Sequence, residues 1–327
     1  MAGRLILKTY EDLNLKKLKK GQIHRIAIEV QRNPLGVNWR IPLMVAIGNE
    51  EGPTLGITAA VHGNELNGLP TIFKLFNSIK VEKLRGTLIA VPVVNVPGYI
   101  LKQREFSDGK DLNRLMPGRE RGTASEMFNY NITSRIISRF DYLLDLHTAS
   151  FGRINSLYVR ADLDNEVCRK MAYLQNPQII VNKYDEEGTL RSWANSHNIP
   201  TITVEIGNPH TFQHHLIDHT FEGIMNLMRH LKMIPGRVKS VEDSIQVCDK
   251  SSWIYAYTGG VVDVSPGLTD FVRAGQKIGT VCDIWGQVLD EILCPEDGYV
   301  IGKNINPVCE AGTRILHLGV KKKSNDK

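Results

Sequence analysis

Apolar residues in the first two-thirds of the chain form short, nearly continuous runs that alternate with segments of helical periodicity. The runs that predict strands are IHRIAIEV, IPLMVAIG, TLGITAAV, LIAVPVV, YLLDLH, SLYVR and TITVEIG. Helical spacing occurs at residues 66–79, 124–139, 164–174 and 214–231. Buried strands separated by helices are typical of a largely parallel or mixed sheet with helices on both faces. The pattern therefore predicts an α/β fold for this part of the chain.

The pattern changes after the run MIPGRVKSVEDS, which has the proline, glycine and charged residues of a linker. From residue 253 to residue 318, short apolar pieces are punctuated by glycine, as in GGVVDVSPG, VRAGQKIGTV, DGYVIGK and AGTRILHLG. Short strands at such spacing predict a small all-β barrel or sandwich. We therefore expect a catalytic α/β domain at residues 1–235 and a β domain at residues 236–327.

Composition narrows the class of protein. The chain has 327 residues, of which 42% are hydrophobic and 23% charged, as in ordinary globular proteins. The net charge of +5 is mild, and the lysines cluster at residues 15–20 and 321–323 as solvated segments, so we expect no nucleic-acid partner. There is no apolar run long enough for a membrane span and no signal-peptide pattern. Five widely spaced cysteines without a CxxC pair suggest reduced thiols, and we expect a cytoplasmic protein.

The motif HGNE, which holds His62 and Glu65, directly follows the predicted strand TLGITAAV. Residues just past the carboxyl end of a strand face the ligand crevice of an α/β sheet. A spacing of three lets an imidazole and a carboxylate converge on one point. Catalytic zinc typically has three protein ligands, a His₂Glu set among them, and keeps a fourth position for water. HGNE thus predicts two ligands of a metal site.

His147 is the candidate for the third ligand, because DLHT ends the predicted strand YLLDL. Asp145 lies two residues earlier on the same side of that strand and could orient a ligand histidine. The alternative is that each histidine is an ordinary hydrogen-bonded loop residue. A second histidine at an equivalent strand end favours the metal site.

Glu205 is the candidate general base. It closes the predicted strand TITVE, again at a carboxyl end, and a zinc hydrolase needs a group that carries a proton to the leaving nitrogen. A glutamate at the end of an apolar strand is costly unless it is solvated or paired. An ion-paired strand terminus is therefore the alternative.

Arginines in the middle of the chain are candidates for substrate binding. Asn113 and Arg114 are adjacent in KDLNRLMPG, and an arginine fork binds a carboxylate bidentately. Arg104, upstream of them, could polarise a scissile carbonyl and stabilise its oxyanion. A solvated or structural ion pair is the alternative for each arginine.

The motifs HGNE, DLNR, DLHT and VEIG, in that order, resemble the succinylglutamate desuccinylase/aspartoacylase family of the zinc carboxypeptidase-like superfamily. The resemblance covers most of the chain. It implies one zinc ion held by His62, Glu65 and His147, with Glu205 as the base.

The same resemblance also implies which residues bind the substrate. Asn113 and Arg114 would hold the substrate carboxylate, and Arg104 looks like the family's oxyanion arginine. The implied reaction is hydrolysis of a small N-acyl amino acid, such as an N-acetyl or N-succinyl derivative, to a carboxylate and a free amine.

The C-terminal part resembles a biotinyl/lipoyl-type barrel. Carrier versions of that fold present a modified lysine, but the stretch CDIWGQVLDEILCPEDG contains no lysine. We expect this part to shape the entrance of the active site or an oligomer contact, and a homo-oligomer is possible.

The sequence is also compatible with two other functions. A metallocarboxypeptidase-type peptidase would share the fold and differ in the openness of its crevice. A non-catalytic binding protein of the same fold would be expected to lose a ligand or the base, whereas His62, Glu65, His147 and Glu205 are all present.

Overall fold

The computed structural model describes residues 8–183, 186–239 and 244–321. Part of the predicted linker and two lysines of the C-terminal basic cluster, Lys322 and Lys323, lie outside these ranges.

A ten-stranded mixed sheet forms the centre of the molecule. Its strands are β1 (Lys8–Tyr10), β2 (Gln22–Arg32), β3 (Asn38–Ile47), β4 (Glu50–Ala59), β5 (Arg85–Val91), β6 (Tyr142–His147), β8 (Leu157–Ala161), β9 (Ile179–Asn182), β10 (Thr201–Ile206) and β11 (Gln246–Cys248). They lie in the order β1-β2-β3-β5-β4-β6-β10-β8-β9-β11. The neighbours β5, β4, β6 and β10 are parallel. Strand β3 runs antiparallel to β2 and β5, and β8 runs antiparallel to β10 but parallel to β9.

Helices cover both faces of this sheet and divide its apolar residues into two cores. The helices are α1 (Gly68–Ser78), α2 (Val96–Leu101), α3 (Ala124–Arg135), α4 (Glu166–Leu174), α5 (Leu190–Ser196) and α6 (His214–His230). Ile72, Met171 and Leu227, on α1, α4 and α6, are buried in one core. Phe128 and Leu190, on α3 and α5, are buried in the other. The predicted α/β class is confirmed.

The element ends depart from the predictions for local reasons. Helix α3 ends at Arg135 because Ile136 has a non-helical φ of −123°, and a 3₁₀ turn follows. Strand β5 ends at Val91 because Pro92 has no N–H for a ladder hydrogen bond. Helix α5 and strand β9 were not predicted, since each is short and flanked by polar residues.

The C-terminal part is all-β, as predicted. One antiparallel sheet contains β12 (Lys250–Tyr255), β14 (Phe271–Val272), β17 (Gly298–Asn304) and β19 (Arg314–Val320); the other contains β13 (Gly260–Val264), β15 (Lys277–Cys282), β16 (Val288–Leu293) and β18 (Val308–Cys309). Apolar residues of both sheets, such as Val262, Ile278 and Leu316, share one core. This arrangement is a sandwich.

A short strand joins this sandwich to the α/β part. Strand β7 (Arg153–Asn155) follows β6 in the chain and pairs with β17. Residues close to the end of β6 are thereby held against the C-terminal sheet. In the described part of the chain, no helix is long and apolar enough to cross a membrane.

Candidate active site

The three predicted ligands and the predicted base meet at the carboxyl edge of β4, β6 and β10, which are parallel neighbours in the centre of the sheet. His62 and Glu65 lie in the loop after β4, and His147 is the last residue of β6. Glu205 is the register partner of His147 across the β6–β10 ladder. The topology alone therefore places the four residues at one edge.

The loop that carries His62 and Glu65 has little freedom. The glycine of HGNE, Gly63, lies so close to the backbone of α2 that a Cβ would be 2.0 Å from the carbonyl carbon of Gly98. A side chain at this position would push the loop away from the helix. The motif's glycine thus serves close packing, which fixes the two flanking candidate ligands.

Both imidazole rings point Nδ1 at the carboxylate of Glu65. Nδ1 of His62 lies 2.9 Å from Oε1 of Glu65, and Nδ1 of His147 lies 2.9 Å from Oε2. The two Nδ1 atoms are 3.2 Å apart. All three side chains are buried, and their donor atoms lie within 4.8 Å of one another. This cluster could hold a metal ion.

The far nitrogen of each ring is held by a second carboxylate. Nε2 of His147 lies 2.7 Å from Asp145, and Nε2 of His62 lies 3.1 Å from Asp111. Asp145 also accepts a hydrogen bond from Thr58. A carboxylate at Nε2 favours the N–H there and leaves the lone pair of Nδ1 facing the cluster. The donor set fits a divalent cation that prefers nitrogen and oxygen ligands.

The electrostatics of the cluster follow from these contacts. Burial acts to raise the pKa of Glu65, but the charge of His62 and hydrogen bonds from His147 and His62 hold it well below its usual range. Burial acts to lower the pKa of His147, but Asp145 and then Glu65 raise it well above its usual value. Without a metal, a proton on His147 therefore balances the buried carboxylates.

Arg104 lies beside the cluster and is largely buried. Its guanidinium donates to Glu65 at 3.0 Å and to Asp111 at 2.9 Å. Ser150 also donates to Glu65, and the backbone N–H of Thr148 donates to the other carboxylate oxygen at 3.0 Å. The arginine is thus placed at the predicted site, next to a candidate ligand.

Glu205 is 8% exposed and has cationic and amide partners. Nε of Arg160 lies 3.3 Å from Oε1 of Glu205, and the amide of Asn155 donates to Oε2 at 3.4 Å. Arg160 also donates to the phenol of Tyr158, the register partner of Glu205 on β8. Burial acts to lower the pKa of Arg160, but Tyr158 and Glu205 raise it, so the arginine stays charged.

Asn113 and Arg114 lie in a 3₁₀ turn, Leu112–Arg114, at the rim of the same pocket. The Asn113 side chain accepts a hydrogen bond from the backbone N–H of Leu190 at 2.8 Å. The Arg114 guanidinium is exposed and donates to the carbonyl of Asn113. Among the described residues it has no carboxylate partner.

The pocket contains further charged side chains that the sequence motifs did not predict. They are Arg153, Arg160, Lys183, Glu186, Arg191 and Arg314, and Trp253 lies among them. Trp253 and Arg314 come from the C-terminal sandwich, so this part of the chain contributes to the pocket wall, as expected. Arg191 is only 4% exposed and lies on helix α5 beside the buried residue Leu190. Its burial and its position at the pocket identify it as a candidate functional residue, and both are visible only in the structure.

The candidate site thus lies at the carboxyl edge of an α/β sheet and contains a His-Glu-His cluster that could hold a metal ion. Residues 51–231 match the model of the succinylglutamate desuccinylase/aspartoacylase catalytic domain. The chain belongs to this family, as its motifs predicted. The matched range contains all the predicted site residues.

Individual relatives agree with this assignment. The chain is 26% identical over 291 residues to the N-alpha-acetyl-L-2,4-diaminobutyric acid deacetylase of Halomonas elongata, and the match covers 84% of each chain. The product-bound structure of the ectoine utilization protein EutE (DoeB) from Ruegeria pomeroyi has a TM-score of 0.83 and 21% identity, covering 93% of this chain and 96% of that one. A succinylglutamate desuccinylase/aspartoacylase from Rhodobacter sphaeroides also has a TM-score of 0.83, with 23% identity and coverage of 95% and 98%. The names of the family and of the curated relative indicate a deacylase.

Proposed function

We propose that the protein is a zinc-dependent amidohydrolase that removes the acyl group from a small N-acyl amino acid. The main support for this proposal is that Nδ1 of His62 and Nδ1 of His147 both lie 2.9 Å from the Glu65 carboxylate. Glu205 is in register with His147 on the next strand. The relative from Halomonas elongata is named for an N-acetyl amino acid, which supports the substrate class.

In this proposal one zinc ion is held by His62, Glu65 and His147. When bound, it would polarise the scissile carbonyl and lower the pKa of water in the site. Asp111 and Asp145 hold the two rings by their Nε2 atoms and so keep Nδ1 directed at the ion.

Glu205 is proposed as the general base. It takes a proton from the attacking water as the new C–O bond forms, and it gives the proton to the amine nitrogen as the C–N bond breaks. Its contacts with Arg160 and Asn155 keep the carboxylate oriented. No serine or cysteine nucleophile is needed.

Arginines are proposed to bind the free carboxylate of the substrate and the oxygen of its scissile carbonyl. Asn113 and Arg114 hold the free carboxylate; the absence of an acidic partner for Arg114 in the described chain supports this role. Arg104 stabilises negative charge on the carbonyl oxygen, for which it would exchange a contact with Glu65.

We further propose that the α/β part up to residue 235 is the catalytic domain and that the remainder is the β domain. The five cysteines are free thiols, four of them buried, which supports a reducing cytoplasmic location. Trp253 and Arg314 of the C-terminal sandwich line the pocket, and we propose that they limit it to small substrates.

A hydrolysis screen tests this function. Purified protein with zinc supplied is incubated with N-acetyl, N-succinyl and N-formyl amino acids, and with peptides of similar composition, while the released amine is measured. We expect release from at least one N-acyl amino acid and little from peptides. Release from peptides alone would favour a peptidase, and no release from either would contradict the proposal.

A further inference from the structure

The proposed base has three polar neighbours that come from one short stretch of the chain, residues 155–160. The amide of Asn155 donates to Oε2 of Glu205 at 3.4 Å, and Nε of Arg160 lies 3.3 Å from Oε1. Tyr158 is the register partner of Glu205, and its phenol accepts a hydrogen bond from Nε of Arg160 at 3.1 Å. Burial and the charge of Glu205 raise the pKa of Tyr158 although Arg160 opposes the rise, so the phenol stays protonated and can donate to the carboxylate. The orientation of Glu205 therefore depends on how this stretch is placed.

Strand β17 of the C-terminal sandwich holds the beginning of this stretch. Strand β7 pairs with β17, and Asn155 lies opposite Gly302 in this ladder. The backbone N–H and the hydroxyl of Ser156 both donate to the carbonyl of Ile301 at 2.9 Å. Asn155 is only 7% exposed. A strand of the sandwich thus places the amide that contacts the base.

Asn155 belongs to a row of residues that crosses four strands of one sheet. Asn155 on β7 lies opposite Gly302 on β17. Gly302 lies opposite His317 on β19, and His317 lies opposite Trp253 on β12. Residues opposite each other in adjacent strands project from the same face of a sheet. Because Asn155 and Trp253 both line the pocket, this face is turned to the candidate active site.

Gly302 leaves room for the Asn155 amide. A Cβ at this position would lie 2.3 Å from Oδ1 of Asn155 and 2.8 Å from the carbonyl oxygen of Ile154. These separations are far shorter than a van der Waals contact, so a larger residue would push the amide or strand β7 aside. The backbone of Gly302 does not have a left-handed φ, so space and not conformation requires the glycine.

His317 packs the same row against Tyr158. Its ring stacks on Trp253 with a centroid distance of 4.7 Å and an interplanar angle of 11°, and its centroid lies 6.0 Å from that of Tyr158. His317 is 3% exposed, and burial and the surrounding cations lower its pKa, so the ring is neutral. Its Nδ1 has no hydrogen-bond partner in the part of the chain that the structure describes. The ring therefore supports Tyr158 by packing.

We propose that the C-terminal sandwich positions the general base, with Asn155 and Tyr158 as the positioning residues that connect the row to Glu205. The inference rests on the proposed function, in which Glu205 carries the proton. A general base must lie within hydrogen-bond reach of the proton that it takes, so a displaced carboxylate lowers kcat. The proposed carboxylate contacts of Asn113 and Arg114 do not involve this row, so KM should change little.

The substitution Gly302→Ala tests the proposal from outside the pocket, since Gly302 is not among the lining residues. Its methyl group displaces the Asn155 amide, and Asn155→Ala removes that amide. With the best N-acyl amino acid and zinc supplied, we expect each variant to lower kcat by roughly tenfold, the worth of a hydrogen bond to a charged group. Zinc content and KM should stay close to wild type. The double variant should be no slower than Asn155→Ala, because both changes remove the same contact.

Gly279→Ala is the matched control. Gly279 lies on β15 of the same sandwich, and its Cβ would lie 2.7 Å from the carbonyl oxygen of Asp263, a crowding like that at Gly302. The atoms that this Cβ would meet belong to Asp263 and Ile292, which are not part of the row. The control should keep the wild-type kcat. Wild-type kcat in Gly302→Ala, a double variant whose losses multiply, or an equal loss in Gly279→Ala would overturn the proposal.

Variants of His317 decide the question if Gly302→Ala does not fold. His317→Phe keeps an aromatic ring between Tyr158 and Trp253 and should retain kcat. His317→Leu removes the stacked ring and should lower kcat with KM little changed. Wild-type kcat in His317→Leu, or an equal loss in both variants, would overturn the proposal.

Crystal structures of wild type and Gly302→Ala give a readout that is independent of turnover. If no N-acyl amino acid is hydrolysed, the proposed function fails, and the positioning of Glu205 is judged on these structures alone. A Glu205 carboxylate that moves together with the Asn155 amide supports the inference. An amide that stays in place, or a displaced amide beside an unmoved Glu205, overturns it.

Discussion

Asp145 and His147 lie two residues apart on the same strand, and the Asp145 carboxylate is 2.7 Å from Nε2 of His147. The strand geometry directs both side chains to one face, so the aspartate holds the ring while Nδ1 faces Glu65 at 2.9 Å. Asp145 is itself held by Thr58 at 2.7 Å. The position of one proposed zinc ligand thus depends on a carboxylate that is not itself a proposed ligand.

The substitution Asp145→Asn tests this dependence. The substitution weakens the contact that orients the His147 ring, and it lowers the basicity of that ring. We therefore expect the affinity for zinc to fall by roughly 10- to 100-fold. Competition with a chromogenic chelator measures the affinity. The control Asp218→Asn removes an exposed carboxylate that pairs with Lys74 on the surface. Equal zinc affinities of Asp145→Asn and wild type would show that Asp145 does not orient the ligand.

Zinc binding should depend on pH. Because Asp145 and Glu65 outweigh burial and raise the pKa of His147, the metal-free protein keeps a proton on this ring at neutral pH. Zinc must displace that proton, so the apparent affinity should rise with pH up to the raised pKa and then level off. Chelator competition at several pH values, together with proton release in calorimetry, checks this. An affinity that is constant across the neutral range would contradict it.

The proposed carboxylate site predicts a selective effect of Arg114→Gln. We expect KM for an N-acyl amino acid to rise by roughly tenfold, since a charge-assisted contact is lost, with kcat less affected. Steady-state kinetics on the acid and on its carboxamide separate binding from a general defect, because the carboxamide should lose little. Arg121→Gln is the control, an exposed arginine seven residues away. Equal losses on acid and carboxamide would argue against the role of Arg114.

Arg104→Lys tests the proposed oxyanion contact. Lysine keeps the charge but loses the guanidinium geometry, so kcat should fall by roughly 10²- to 10³-fold. Arg104 also contacts Glu65 and Asp111, and zinc content must therefore be measured in parallel. A variant that retains zinc and wild-type kcat would exclude the role. A variant that loses zinc would show that Arg104 supports the metal site.

The sequence predicted the parts of the site that depend on strand ends. HGNE and DLHT follow apolar runs, and parallel neighbours bring such ends to one edge of a sheet, so the approach of His62 and Glu65 to His147 follows from local pattern and topology. The C-terminal sandwich was predicted from glycine-punctuated short strands.

The remaining parts depend on contacts that no local pattern encodes. Asp111 reaches His62 from an irregular loop 49 residues away. Arg153 meets Trp253 and Arg314 only because β7 pairs with β17 of the sandwich. Glu205 and Arg160 are joined through the antiparallel pairing of β10 with β8, and the sequence pattern does not reveal which strands pair in this direction.

The most direct test of the account is the hydrolytic activity of Glu205→Gln with its zinc content measured on the same sample. Glutamine preserves the shape of the side chain but cannot accept the proton of water. We predict stoichiometric zinc in wild type and variant, and a fall in kcat of at least roughly 10²-fold on the best N-acyl amino acid, the usual contribution of a general base. A zinc-loaded Glu205→Gln variant that hydrolyses this substrate at the wild-type rate would contradict the account.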